Sequence, residues 1–336
     1  MTPPLALTMG EPAGIGGEIA LLAWLRRRDE RIPAFFLIDD PKRLEQLARA
    51  IGAAVPVRAI GGPEQAAAAF ETALPVLPLA LPREIVPGRP DPANAPAVIE
   101  AIKTGAALVA SGRAGALVTN PIQKETLYAA GFAHPGHTEF LAELAGGAPV
   151  AMMLACPELR VVPVTVHLPL REALAALTAE KIVAAGRIAA AALMRDFAIA
   201  QPRLAVAGLN PHAGENGTLG REETEIIAPA VAALRAAGIG ADGPAPADTL
   251  FHAAARQRYD AVLCMYHDQA LIPLKTIDFA GGVNVTLGLP FIRTSPDHGT
   301  ALDLAGRGVA NPASLVAALK LAGEMAGRRA APRGAV

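Results

Sequence analysis

Three histidines each close a run of apolar residues. His167 ends LRVVPVTVH, His212 ends RLAVAGLNPH and His267 ends DAVLCMYH. Imidazole is the commonest protein metal ligand and titrates near neutral pH. The runs are rich in Val, Leu and Ala and read as buried strands. Each histidine therefore stands where a strand gives way to a loop. In an open α/β sheet that end of the strand faces the ligand crevice. Three imidazoles placed there suit one divalent cation. Taken singly, each could instead be an ordinary hydrogen-bonded side chain. The shared placement argues for a metal site, and so for an enzyme.

Other groups could serve the same chemistry. Asp248, in PADTLF, and Asp268, beside His267, could be metal ligands, orienters of ligands or a general base, and Lys275 is a third candidate for the base. His137 and Thr138 lie in HPGHTE, a loop able to hydrogen-bond a polar substrate. In the alternative reading, Thr138 caps the next helix and Glu139 occupies its first turn. Arg293 directly follows the apolar run LGLPFI. A guanidinium there suits bidentate capture of phosphate or carboxylate, although a surface ion pair would also explain it. Lys275 and Asn284 nearby tilt the reading towards an anion site. Asn210–Gly217 forms a polar, glycine-rich loop that is costly to bury unless a metal or substrate satisfies it. Met9–Glu18, MGEPAGIGGE, reads either as an anion loop at a helix N-terminus or as a tight strand-to-helix turn. It lacks the full G-x-G-x-x-G spacing of a dinucleotide fingerprint.

Short apolar runs alternate with Ala-rich helical segments. LALTM, AFFLI, GALVT, LRVVPVTV, RLAVAGL and DAVLCMY read as strands. Segments around Gly17–Arg27, Ala95–Ser111, Ala179–Arg195 and Glu222–Ala237 read as helices. This βαβ alternation predicts a mostly parallel sheet covered on both faces. Asp40 before Pro41, and Thr178, offer N-caps, while Gly238 and Gly240 close the helix before them. Ala73–Pro92 carries six prolines and predicts an extended arm or edge segment. Beyond Glu324 the chain is small and basic, which predicts a frayed end.

Composition sets outer bounds. A chain of 336 residues with 52% hydrophobic and 18% charged residues is globular, and it is long enough for two lobes. A net charge of −1 without a long basic block argues against nucleic acid as a partner. Cys156 and Cys264 are too few for a disulfide framework and read as buried thiols. No apolar stretch is long enough for a membrane span, and no secretory leader pattern is seen, so a soluble cytoplasmic protein is expected.

Eight segments in order are MGEPAGIGGE, PGHTEF, VHLPL, GLNPHAGENG, PADTLF, MYHDQ, GVNVTLGLPFIRTS and DHGTALDLAGRG. Together they resemble the 4-hydroxythreonine-4-phosphate dehydrogenase (PdxA) family of vitamin B6 biosynthesis, roughly from Leu5 to Met325. The resemblance implies a two-lobed α/β/α sandwich of the isocitrate/isopropylmalate dehydrogenase-like type. Lobe 1 is expected over roughly 1–140 plus 296–336 and lobe 2 over roughly 141–295, with the active-site cleft between them. It implies oxidation of a small phosphorylated amino acid, 4-phosphooxy-L-threonine, followed by decarboxylation to 3-amino-2-oxopropyl phosphate. NAD or NADP would accept the hydride. One divalent metal per site (zinc, cobalt, manganese or magnesium) would be held by His167, His212 and His267. Imidazole ligands favour zinc, cobalt, nickel or manganese over magnesium.

The resemblance also implies a homodimer, with His167 and His212 in one chain and His267 supplied by the other. Substrate contacts map onto His137, Thr138, Lys275, Asn284 and Arg293. Two residues depart from the family's pattern: Glu11 stands where Asp is usual, and Gly17 where Pro is usual. The segment His298–Pro312 is similar to the nucleotide loop of isocitrate and isopropylmalate dehydrogenases, which places adenosine near His298, Gly299, Thr300 and Asn311. Two other functions fit similar motifs. One is a dehydrogenase of another four-carbon acid phosphate, such as threonate or erythronate 4-phosphate. The other is an acyl-phosphate transferase, which would need the anion site but not three strand-end histidines.

Overall fold

Burial on both faces turns the short apolar runs into strands. A computed structural model of the chain describes residues 2–331. The chain runs through β1 (Leu5–Thr8), β2 (Phe35–Asp39), β3 (Val57–Ala59), β4 (Leu74–Pro78) and β5 (Leu117–Thr119). It continues through β6 (Ala151–Cys156), β7 (Leu159–Pro163), β8 (Arg203–Ala207), β9 (Gly240–Ala245), β10 (Ala261–Cys264) and β11 (Val283–Leu287), and ends its strands with β12 (Arg293–Pro296). Two compact units result. One joins the described residues up to Ala148 with those from Leu289 onward; the other is Pro149–Gly288. Arg293 thus belongs to the first unit.

In the first unit the strands lie in the order β3-β4-β2-β1-β5-β12, and every pair is parallel. Helices such as Gly16–Leu25 and Ala95–Ala110 make the crossovers that parallel strands require. The second unit has the order β11-β6-β7-β10-β8-β9. Here β7, β10, β8 and β9 are parallel, while β6 pairs antiparallel with both neighbours. The α/β class with a mostly parallel sheet is as expected. Asp40 accepts hydrogen bonds from the backbone N–H groups of Lys42 and Arg43, and Thr178 from that of Lys181, so both N-caps form.

Four expectations need correction. First, the proline-rich segment begins as an interior strand, since β4 lies between β3 and β2. Leu74 donates its N–H to Pro56 on the β3 side, and Leu79 donates to Asp39 on the β2 side. By strand alternation, Pro78 then faces β3 beyond the last pair, Ala59–Val76, and Pro75 faces β2 before the first pair, Leu37–Val76. Each proline sits where its missing N–H costs no ladder bond. Second, the last helix runs Ala313–Ala330, so no frayed end begins at Glu324. The rest of that expectation, residues 332–336, lies outside the described residues. Buried Leu315, Leu319, Ala322, Met325 and Ala326 hold the helix down through its last turns. Third, the helix expected around Glu222–Ala237 opens with a π-helical turn, Glu223–Ile227, before Ala228–Ala236. Fourth, Gly238 (φ +78°) follows that helix as expected, but Gly240 begins β9.

Candidate active site

The second unit gathers the histidine-bearing loops. Strands β7, β10 and β8 are neighbours, and all three run in the same direction. The loops carrying His167, His267 and His212 therefore leave the same edge of the sheet. Side chains not singled out in the sequence lace those loops together. Thr165, buried, donates its hydroxyl to Met265 O at 2.8 Å, tying the β7 loop to the β10 loop. Gln269 accepts from Met265 N at 2.6 Å and donates to Gly208 O at 2.7 Å, tying the β10 loop to the β8 loop.

His167 and His267 stand side by side, with ring centroids 5.8 Å apart. That is close enough for both to reach one cation at the usual metal–nitrogen distance of about 2.0–2.1 Å. They line a cavity of about 210 Å³ with Thr165, Leu168, Leu170, Ala173, Tyr266 and Asp268. Asp268 Oδ1 lies 2.7 Å from His267 Nδ1. A carboxylate there orients the imidazole and leaves Nε2 for a ligand. Of the roles open to Asp268, this geometry supports that of orienter. Asp248 is exposed, on the turn Ala247–Thr249.

His212 is exposed and 3.7 Å from Glu215. The expected grouping put His167 with His212 and brought His267 from another chain; here His267 is the neighbour of His167. Among the described residues of one chain, no three His, Cys, Asp or Glu side chains form a group able to hold a metal.

Backbone strain concentrates at two of these histidines, His167 and His212. His167 has φ +52°, and His212, Ala213, Gly214, Glu215 and Asn216 form a left-handed turn with φ between +43° and +76°. Left-handed backbone costs roughly 1–2 kcal/mol for each residue with a side chain. Buried Glu223 sustains the turn. Its carboxylate accepts from the N–H groups of Leu209 and Asn210, both at 2.7 Å, and from Asn210 Nδ2 at 2.9 Å. Strain maintained in this way clusters at functional sites. The same unit holds Asn284 on β11, with its Oδ1 buried and without a hydrogen-bond partner. Lys275 lies on the helix His267–Ile277, with Nζ 5.2 Å from the Phe279 ring centre.

The first unit holds the buried cation. Arg293 opens β12 beside β5 and is 4% exposed, so the surface ion-pair reading fails. Its Nε and Nη2 donate to Thr119 Oγ1 at 3.2 and 2.6 Å. Burial pulls the guanidinium pKa down to about 10, partly offset by Glu139, so it stays charged at neutral pH. His137 opens the helix His137–Leu144. Its imidazole titrates well below the ordinary histidine range, chiefly because burial penalises the charged form and further because Arg293 and Lys124 are positive. It is therefore neutral at pH 7, and its buried Nε2 has no hydrogen-bond partner. An orphaned ring nitrogen near a buried guanidinium suits an anionic ligand. Thr138 does not cap this helix: Gly136 holds the N-cap position without a side-chain bond.

The proposed nucleotide loop also lies in this unit. His298 Nδ1 is 2.9 Å from Gly299 O, and its buried Nε2 has no partner. A side chain on Gly299 would meet nothing within 4 Å. These features suit a nucleotide. Thr300 lies 3.4 Å from Gln123, and Asn311 accepts from Ala313 N at 3.0 Å, which gives it a capping role.

The family described as "Pyridoxal phosphate biosynthetic protein PdxA" matches residues 31–322. The chain belongs to this family. A PdxA relative from Bradyrhizobium diazoefficiens, named 4-hydroxythreonine-4-phosphate dehydrogenase, is 58% identical over 96% of this chain and 97% of its own. One of the same name from Caulobacter vibrioides is 56% identical, covering 97% of this chain and 98% of its own. The crystal structure of the 4-hydroxythreonine-4-phosphate dehydrogenase from Klebsiella pneumoniae superposes with a TM-score of 0.88. It is 40% identical and covers 96% of this chain and 99% of that one. The PdxA assignment agrees with the eight ordered segments, and no helix among the described residues is long and apolar enough to cross a membrane.

Proposed function

We propose that this chain is a metal-dependent, NAD(P)-linked dehydrogenase of 4-phosphooxy-L-threonine. The single observation that carries the reading is the pair of imidazoles, His167 and His267, at the ends of adjacent parallel strands in a family whose relatives bear that name. When bound, a divalent cation supplies charge stabilisation at the substrate hydroxyl oxygen, and the nicotinamide supplies a hydride acceptor.

This chain's residues bind and orient. Arg293, fixed by Thr119, presents a permanent charge to the phosphate. Neutral His137 adds a hydrogen bond through Nε2. Asn284 offers an unused acceptor, Oδ1, suited to the substrate ammonium. His267, oriented by Asp268, and His167 would hold the cation. Oxidation at C3 would pass a hydride to NAD(P)+ and release the hydroxyl proton, giving a β-keto acid; loss of CO2 from C1 and uptake of a proton at C2 would then give 3-amino-2-oxopropyl phosphate.

We further propose a homodimer in which a second copy completes the ligand set. Exposed Leu168 and Leu170, which line the cavity, and exposed Leu174 on the adjoining helix Leu170–Ala176 favour coverage by another subunit. The ring pair supports a division with His167 and His267 from one chain and His212 from the other.

The test is a comparison of substrates. Turnover of 4-phosphooxy-L-threonine should exceed that of threonate or erythronate 4-phosphate by at least tenfold. Equal or reversed rates would favour the other acid phosphates, and acyl transfer without NADH formation would favour a transferase.

A further inference from the structure

The glycine-rich segment Met9–Glu18 takes no part in the chemistry above, and its backbone is already engaged by protein. A side chain on Gly10 (φ +67°) would stand 2.6 Å from Pro121 O. Ile15 donates its N–H to Thr300 O at 3.0 Å, and a Cβ on Gly14 would lie 2.9 Å from that same oxygen. Glu18 is wholly buried, and its carboxylate reaches far along the chain: Oε2 accepts from Gly306 N at 3.0 Å and Oε1 from Ala310 N at 2.9 Å. Gly306 (φ +76°) comes so close to Pro87 that a Cβ would sit 2.8 Å from it. The segment that reads as an anion loop therefore grips the stretch from His298 to Asn311.

We infer that Glu18 is the positioning residue of the nucleotide loop 298–311, and that Met9–Glu18 is the seat of that loop. The inference rests on the reading of 298–311 as the NAD(P) site. A carboxylate suits the task, because it can accept from two backbone N–H groups at once and leaves neither unsatisfied in the interior. A glutamine can accept from only one and turns its own NH₂ towards the other. The loop would then lose its fixed curvature, and His298 and Gly299 their shared placement for adenosine.

The test uses the full chain, with NADH as probe. Calorimetric titration gives its Kd, and hydrogen exchange follows the amides of Gly306 and Ala310. In Glu18→Gln those two amides should exchange at least tenfold faster, and NADH should bind about tenfold more weakly, the scale of one charge-assisted hydrogen bond. Inorganic phosphate binding, followed at the His137 ring, should be unchanged. If Glu18→Gln does not fold, Glu18→Asp keeps the charge but withdraws it from at least one amide, and it carries the same expectation. Faster exchange with NADH affinity unchanged within twofold would overturn the inference and leave Glu18 a structural residue. If NADH binds the unaltered protein without protecting 298–311, the cofactor reading fails, and the inference with it.

Discussion

Arg293 donates from both Nε and Nη2 to one acceptor, the hydroxyl of Thr119, on the strand beside its own. Both residues are buried, so the guanidinium direction is set before any ligand arrives. Preorganised charge of this kind binds anions with little reordering cost.

Thr119→Val keeps the side-chain shape and removes the acceptor. It should raise KM for the phosphorylated substrate by roughly tenfold, from the loss of about 1–2 kcal/mol, with a smaller effect on kcat. Thr119→Ser should restore most of the affinity. Steady-state kinetics of the three proteins checks this; an unchanged KM in Thr119→Val would separate Thr119 from anion binding.

His137 gives a pH signature. Its folded pKa lies below the unfolded value, so the unfolded chain binds more protons in the interval between them. Stability should therefore fall as pH drops below about 6.5 towards the folded value. A bound phosphate opposes the repulsion from Arg293 and Lys124, so it should raise the His137 pKa. Ring-proton NMR titration with and without inorganic phosphate reads this directly. A downward shift, or none, would place the anion elsewhere.

Gln269→Leu should be among the more damaging changes outside the proposed ligands. It strips partners from Met265 N and Gly208 O in the interior. The expected cost is about 2–4 kcal/mol in unfolding free energy, with a tenfold to hundredfold loss of cation affinity as the loops drift. Chemical denaturation and metal titration check the two effects separately. Lost stability with full cation affinity would mean that the histidine loops hold their places without it.

Subunit mixing tests how the ligands divide between chains. If His167 and His267 act from one chain and His212 from another, inactive His167→Ala and His212→Ala proteins should recover activity when mixed, up to one intact site per hybrid dimer. His167→Ala mixed with His267→Ala should not. The reverse pattern would support the division that the family resemblance implied.

The candidate histidines stand out in the sequence because they follow strands buried on both faces. Uniform apolar runs such as DAVLCMY announce a strand and where it stops, and so locate His267. The polar strand β12, RTSP, gives no such signal; it is buried through its neighbours and not through its own hydrophobicity. Arg293 consequently reads as following a strand when it opens one. Thr165, Gln269 and Glu223 escape notice for a related reason. Each acts on backbone groups of another loop, and nothing in the local pattern marks a partner up to 100 residues away. Proline spacing in 73–92 misleads because it reports missing donors without reporting which side of the strand needed them.

The most direct measurement is NADH absorbance at 340 nm, with NAD and 4-phosphooxy-L-threonine supplied to the purified protein before chelation, after chelation and after metal is restored. Steady NADH formation is expected, with its loss on chelation and its recovery with zinc, cobalt or manganese. Formation of NADH at an undiminished rate in metal-free protein would contradict the metal assignment of the histidines. No NADH formation under any of the three conditions, in protein shown to be folded, would contradict the proposed activity itself.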